Sequence, residues 1–219
     1  MIPALNEADS IAVAVADARR EADQVLVADG GSTDETVARA LAAGARVVPA
    51  ARGRAVQMNA AAQVADGGVL LFLHADCRLP VGARAAVRRA VAEGSAWGRF
   101  DVVLDSPRPL LRVVGSMMNR RSRLTGICTG DQAVFVTRAA WQSCGGYPAI
   151  PLMEDIELSR RLRRIAPPAC LHDRVRVSAR RWERRGAWRT IVEMWAFRAL
   201  HAIGVSPRWL HDCYYGRSS

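Results

Sequence analysis

Residues 24–76 read QVLVADGGSTDETVARALAAGARVVPAARGRAVQMNAAAQVADGGVLLFLHAD. Residues 24–28 are a short β-rich run ending in Asp29-Gly30-Gly31. Ser32 or Thr33 can cap the helix that follows, Asp34 and Glu35 suit its first turn, and Gly44 ends it. A second short strand is expected over 46–49, a helix over 53–65, and a fully apolar strand over 69–73. Strand–helix–strand–helix–strand implies an α/β fold with a largely parallel sheet.

The pattern extends outward. Residues 8–20 carry Ile11, Val15 and Ala18 at helical spacing, and Pro80 opens a helix expected to run to 93. Further on, strands are expected over 97–104, 132–136 and 174–179. Helices are expected over 110–123, 153–165 and, as a final amphipathic helix, 187–203. In sheets of this kind ligands sit beyond the carboxyl ends of the strands. Those ends read Asn6-Glu7, Asp29-Gly30-Gly31, Arg52-Gly53-Arg54 and His74-Ala75-Asp76, all polar.

Composition fits one globular domain: of 219 residues, half are hydrophobic and about a quarter charged. Collagen, coiled coils, disulfide mini-proteins and disordered acidic chains are excluded. No apolar run approaches the ~20 residues that span a bilayer, and the opening MIPALNEADS does not read as a secretory signal, so a cytoplasmic protein is expected. The five cysteines are scattered without a C-x-x-C pair, which suggests neither zinc nor redox chemistry but small buried side chains. The net charge of +10 comes wholly from arginine, since the chain has no lysine. Arginines crowd residues 160–185, a density suited to a phosphate-rich ligand, an anionic membrane surface or a nucleic acid, and equally to a solvated basic face.

Neither a P-loop nor a G-x-G-x-x-G fingerprint is present, which argues against a P-loop NTPase or a nicotinamide dehydrogenase. Carboxylates at strand ends remain. Asp29 before two glycines can accept hydrogen bonds from a base or ribose, or serve a turn. Asp76 can hold Mg²⁺ or Mn²⁺, or close a turn before the next helix, and His74 alone is less informative. Glu154-Asp155 opens a helix, where acidic residues favour the macrodipole and where a general base can also sit. The preceding Gly145-Gly146-Tyr147-Pro148 suggests a flexible loop positioning it.

Taken in order, PALNEA (3–8), ADGGSTDET (28–36), GRAVQMNAAA (53–62), LFLHADCRLP (71–80), GDQAVFVTRAAWQSCGGY (130–147) and PLMEDIELSRRLRR (151–164) resemble glycosyltransferase family 2. The resemblance implies the GT-A fold, a three-layer nucleotide-binding sandwich, over residues 1–185, with 186–219 as a helical appendage. It places Pro3, Ala4, Asn6 and Glu7 beside a donor nucleotide, with Asp29 at the base and Arg54, Asn59 and Ala75 bordering it. It makes Asp76 the metal-binding aspartate of a D-x-D motif and Asp155 the catalytic base. Glu154, Asp131, Gln132, Arg181 and Trp182 fall near the acceptor and diphosphate. Two departures stand out: the first strand is nearly missing before Pro3, and His74 replaces the first aspartate of D-x-D. The His-Ala-Asp variant and Gly130-Asp131-Gln132 look most like a small bacterial subgroup tied to arsenosugar biosynthesis and radical-SAM gene neighbourhoods.

The implied reaction is metal-dependent inverting transfer from a nucleoside-diphosphate sugar, with a uridine nucleotide favoured, to a hydroxyl acceptor. Two alternatives compete. A sugar-phosphate nucleotidyltransferase is disfavoured because PALNEA stands where its glycine-rich loop belongs, and a basic nucleic-acid-binding module lacks a recognised motif. The 187–203 helix is too short and too charged to span a membrane. It can lie on the inner membrane face, pack on the domain or meet a second subunit.

Overall fold

The computed structural model describes residues 1–216, except for the side chains of Arg181, Arg184 and Arg185. The strands are β1 (Ile2–Ala4), β2 (Leu26–Asp29), β3 (Arg46–Pro49), β4 (Val69–Phe72), β5 (Cys77–Arg78), β6 (Trp97–Asp105), β7 (Val134–Thr137) and β8 (Ala169–Ser178). The helices are α1 (Ala8–Glu21), α2 (Thr36–Ala42), α3 (Arg54–Val64), α4 (Ala83–Ala92), α5 (Pro109–Thr125), α6 (Arg138–Cys144), α7 (Glu154–Arg163), α8 (Arg180–Arg185), α9 (Ala187–Ala202) and α10 (Pro207–Tyr215).

Strands β1, β2 and β3 form one parallel sheet, and a second sheet runs β4-β7-β6-β8-β5. Two hydrogen bonds join them: the Met1 amine donates to the Leu71 carbonyl at 2.7 Å, and the Leu73 N–H donates to the Met1 carbonyl at 3.0 Å. That is a parallel register, so the order reads β3-β2-β1-β4-β7-β6-β8-β5. The sheet is parallel through β3-β2-β1 and between β6 and β8, while β7 runs antiparallel to both β4 and β6. Although β1 has only 3 residues, each pairs with β2, from Ile2 opposite Val27 to Ala4 opposite Asp29. The short opening of the chain therefore still yields a paired strand.

Successive residues on a strand face opposite sides of the sheet, and the core divides accordingly. Leu70 and Phe72 of β4, with Val134 and Val136 of β7, pack into one cluster with Met58 of α3 and Leu158 of α7. Phe135 of β7 and Phe100, Val102 and Leu104 of β6 pack into the other, with α1, α4 and α5. This is a three-layer sandwich. Helix α1 buries Ile11, Ala14, Val15 and Ala18, an i, i+3, i+4, i+7 stripe. Gly98 on β6 is required by packing, since a Cβ there would overlap the Phe135 ring and the Ala169 carbonyl.

Three differences from the sequence reading have local causes. Asp34 accepts hydrogen bonds from the Thr36 N–H and hydroxyl, which holds residues 32–35 in a loop and delays α2 to Thr36. Helix α6 was not expected; it is capped by the Thr137 hydroxyl, which accepts from the Ala140 N–H, and it ends at left-handed Gly145. The C-terminal part holds α10 as well as α9; Pro207 marks the first turn of α10, and Ala187, Ile191 and Met194 of α9 pack against the core.

Candidate active site

The loops after β1 and β2 are tied to each other. Asn6 has a left-handed backbone (φ 55°), and its side-chain oxygen accepts from the Thr33 N–H at 2.9 Å. The Asn6 N–H in turn donates to the Ser32 hydroxyl. Glu7 donates its N–H to the Thr36 hydroxyl at 2.7 Å and accepts from the Ser10 hydroxyl at 2.7 Å. Asp29 accepts from the Gly31 N–H and from the Ser32 N–H, each at 3.0 Å, so the turn role weighed from sequence is present. Beneath them, buried Gln57 donates to the carbonyls of Ala4 (2.7 Å) and Ala28 (2.8 Å) and pins the ends of β1 and β2 together.

The turn after β4 carries a second group. Atoms of His74, Asp76, Cys77 and Asp131 lie within 4.8 Å of one another. His74 Nδ1 is 3.4 Å from Asp131 Oδ1. Burial acts to lower the His74 pKa, but the Asp131 hydrogen bond and the negative charges of Asp131 and Asp155 outweigh it, and the ring lies above its ordinary value. Burial first, and then the charges of Asp131 and Asp76, push the Cys77 thiol well up, so it stays protonated. The two carboxylates and the imidazole are the donors left for a cation. Oxygen donors suit a hard divalent ion, and His74 Nε2 is buried without a hydrogen-bond partner among the described residues.

Gly130 joins this group to α7. Its N–H donates to Asp155 Oδ2 at 2.9 Å, while Asp155 Oδ1 has no hydrogen-bond partner among the described residues. A Cβ on Gly130 would overlap the His74 ring and lie 2.9 Å from Asp155 Oδ2, so only glycine lets the 130–132 turn approach this closely. Besides Asn6, the non-glycine residues with positive φ among the described residues are Ala133 (44°), just after that turn, and Met153 (67°), just before Glu154. Such backbone is strained for residues with a Cβ, and here it aims both carboxylate-bearing segments. Glu154 is buried 3.8 Å from Arg54. Desolvation, then the charge of Asp155, push its pKa up to about 7 against the pull of Arg54. For Arg54 itself, burial favours the neutral form, but Tyr215, Glu154, Asp155 and Asp131 together hold its pKa above normal.

The structure thus brings His74, Asp76, Asp131, Glu154, Asp155 and Arg54 to one place beyond the β4 end. It places Asp131 in the cluster with Asp76. It does not bring Asn59 or Gln132 to a ligand-facing position. The Asn59 amide exchanges two hydrogen bonds with the Tyr147 backbone, at 2.9 and 3.0 Å. Gln132 is fully buried, donating to the Ser122 hydroxyl and accepting from the Thr129 N–H. Pro3, Ala4 and Ala75 are buried, and the Ala4 carbonyl is already bonded to Gln57 and Gly30. Trp182 is buried in the core against α5 and α9, and the Arg181 side chain lies outside the described residues. The glycine loop at 145–146 is not free either, because Asn59 clasps Tyr147 and the Tyr147 ring is buried against Phe72 and Trp141.

Sequence reasoning missed Gln57, Gly130 and Tyr215. A glutamine within the alanine-rich α3 stripe was a readable sign of a buried amide. Tyr215, whose hydroxyl accepts from Arg54 at 3.4 Å, comes from α10 and had no signal beyond Pro207. Among the described residues, no helix is long and apolar enough to cross a membrane.

Comparison with known proteins agrees with this architecture. Glucosyl-3-phosphoglycerate synthase from Mycobacterium tuberculosis, in complex with Mn²⁺, uridine diphosphate and phosphoglyceric acid, is similar with a TM-score of 0.56 and 20% identity, over 80% of this chain and 67% of that one. Staphylococcus aureus TarS 1–349 is similar with a TM-score of 0.63 and 15% identity, over 81% and 59%. The mannosyltransferase PcManGT from Pyrobaculum calidifontis, in complex with GDP-Man and Mn²⁺, has a TM-score of 0.57 and 22% identity, over 80% and 55%. The chain therefore spans between 55% and 67% of the length of these structures, and at such identities the likeness is one of fold. No curated protein matches the chain. The sequence model of glycosyl transferase family 2 matches residues 1–140, most of the sandwich and the whole of the His74–Asp131 cluster, and the chain belongs to that family.

Proposed function

We propose that the chain is a metal-dependent, inverting glycosyltransferase that moves a sugar from a nucleoside-diphosphate donor, uridine favoured, to a hydroxyl acceptor. The observation that carries this reading is the Asp155 carboxylate. One oxygen is pinned by the Gly130 N–H, and the other makes no close hydrogen bond among the described residues, with the buried Tyr147 hydroxyl near the carboxylate and the Asp76–Asp131 pair beside it. The pinned oxygen fixes the group, and the second can take the proton of an acceptor hydroxyl. As the acceptor oxygen bonds to the anomeric carbon, the bond to the diphosphate breaks and the diphosphate leaves with the electron pair. Asp76, Asp131 and His74 would hold Mg²⁺ or Mn²⁺, which supplies neutralising charge to the departing diphosphate. Arg54 adds a fixed positive charge on the same side. The loops at Asn6–Glu7 and Asp29 would receive the nucleoside. The relatives bound to Mn²⁺ with uridine diphosphate or GDP-Man support both the metal and a nucleotide donor.

His74 in the His-Ala-Asp turn and the Gly130-Asp131-Gln132 segment also favour the arsenosugar-associated subgroup. The test is a thermal-shift panel of UDP, GDP, ADP, TDP and CDP with and without Mn²⁺. Saturation at 100 times Kd adds about 2.7 kcal/mol of stability. A Mn²⁺-dependent shift with one nucleotide, lost in Asp76→Ala and Asp131→Ala, is expected. Pyrophosphate release from a nucleoside triphosphate, with no diphosphate response, would replace this reading with the nucleotidyltransferase.

A further inference from the structure

Part of the arginine excess lies in a groove that the proposed reaction does not use. Strand β6 pairs with β7 only at Trp97 and Gly98, and beyond them α5 takes the free edge of β6. The Asn119 amide of α5 donates to the Val102 carbonyl (3.0 Å) and accepts from the Val102 N–H (2.8 Å), so the helix stands where a strand would pair. Leu111, Val114 and Met118 turn into the core, which leaves Arg112 and Arg120, about two turns apart, on the other side of α5. On β8, Val175 and Val177 point into the same core. Arg174 and Arg176 therefore point to the opposite face of the sheet, level with Asp101 and Val103 of β6.

Helix α5 and that sheet face form a groove of about 760 Å³, lined by Arg112 and Arg120 on one wall and Arg174 and Arg176 on the other. Small-molecule sites commonly measure ~300–1,000 Å³. All four arginines are exposed, and none of their side chains has a hydrogen bond or an ion pair among the described residues. Arg123 also borders the groove, but Asp101 holds it at 2.7 Å, and the other oxygen of Asp101 is engaged by Arg99. Among the described residues Asp105 is the one carboxylate left in the lining, so the groove is positive. A concave wall of like charges focuses the field on whatever enters. We propose that this groove is a second ligand site, taking a small soluble molecule with two or more phosphate groups. One phosphate is held by Arg112 and Arg120, and another by Arg174 and Arg176. Guanidinium forks match phosphate oxygens in pairs. None of the residues assigned to donor, metal or proton transfer lines the groove, so the site does not rest on that reading.

The full chain is titrated by calorimetry with tripolyphosphate and with inorganic phosphate, in EDTA to keep metal from the carboxylate cluster. Tripolyphosphate is expected to bind at least about tenfold more tightly, since only it engages both walls at once. Arg112→Gln/Arg120→Gln and Arg174→Gln/Arg176→Gln should each lose about tenfold or more of that affinity, because each strips one wall. These side chains are exposed, so both double variants should keep the wild-type Tm. Arg20→Gln, an exposed arginine on α1, should lose no affinity, and neither should Asp76→Ala in the metal cluster. Equal affinity for the two phosphates, an unchanged groove variant, or an equal loss in Arg20→Gln or Asp76→Ala would each overturn the proposal. Tighter binding of single-stranded RNA through the same four arginines would overturn it in favour of a nucleic acid.

Discussion

The two sides of the candidate active site are built on opposite terms. On the β1–β2 side, Asn6, Glu7, Asp29 and Gln57 spend their polar atoms on neighbouring backbone and side chains. On the β4–α7 side, His74 Nε2, Glu154 Oε1 and Asp155 Oδ1 are buried without hydrogen bonds among the described residues. Buried polar atoms are normally satisfied, so the first side reads as a scaffold that shapes the loops proposed to receive the nucleoside, and the second as groups kept for chemistry. Position at a strand end does not separate these cases; the hydrogen bonds do.

The contrast is tested most severely at Asp155. Asp155→Asn should cut turnover by ~10²-fold or more while leaving nucleotide binding intact, as steady-state kinetics beside a binding titration would show. Next comes Gly130→Ala, which forces a methyl group into His74 and toward Asp155. It should lower activity by about tenfold or more and stability by about 1–3 kcal/mol, read by kinetics and urea unfolding. On the scaffold side, Gln57→Leu strips partners from two buried carbonyls and should destabilise by about 1–3 kcal/mol. Mn²⁺ binding per folded molecule should hold; a loss of Mn²⁺ affinity without a loss of stability would reverse the division drawn here.

The smallest effect is a pH slope. The folded Glu154 carboxyl titrates near 7 rather than 4.5, so between those values the native state binds more protons than the unfolded state. Stability from this group is therefore lost as pH rises through that window and is level above it. Glu154→Gln should flatten that part of a Tm–pH profile; an unchanged slope would move the titration elsewhere.

The sequence made the scaffold side legible because its rules are local. Strand periodicity, capping residues and glycines after Asp29 act within a few positions, and the structure places β2, β3, α3 and β4 close to where they were expected. The chemistry side depends on contacts that spacing does not encode. Asp131 joins Asp76 only because the 130–132 turn folds back on β4, and His74 acquires meaning only beside Asp131. The part-buried Asn59 amide is a clasp for the Tyr147 backbone, a role that spacing cannot show because the partner lies far along the chain. The arginine run also dissolves on folding. Arg160 and Arg161 pair with Glu157, while Arg174 and Arg176 line a separate groove with Arg112 and Arg120.

The Asn59–Tyr147 clasp has a consequence for how the molecule assembles. Its partners are 88 positions apart. Parallel β6 and β8 likewise meet across a long excursion of chain. Contacts of such separation form late, because loop-closure entropy must be lost before they reward it. During synthesis the β1–β2–β3 layer can therefore assemble from near neighbours while His74 and Asp76 are already present but Asp131 and Asp155 are not. The proposed catalytic cluster becomes complete only when the chain beyond residue 155 has emerged and docked, so it is assembled as a late step in folding.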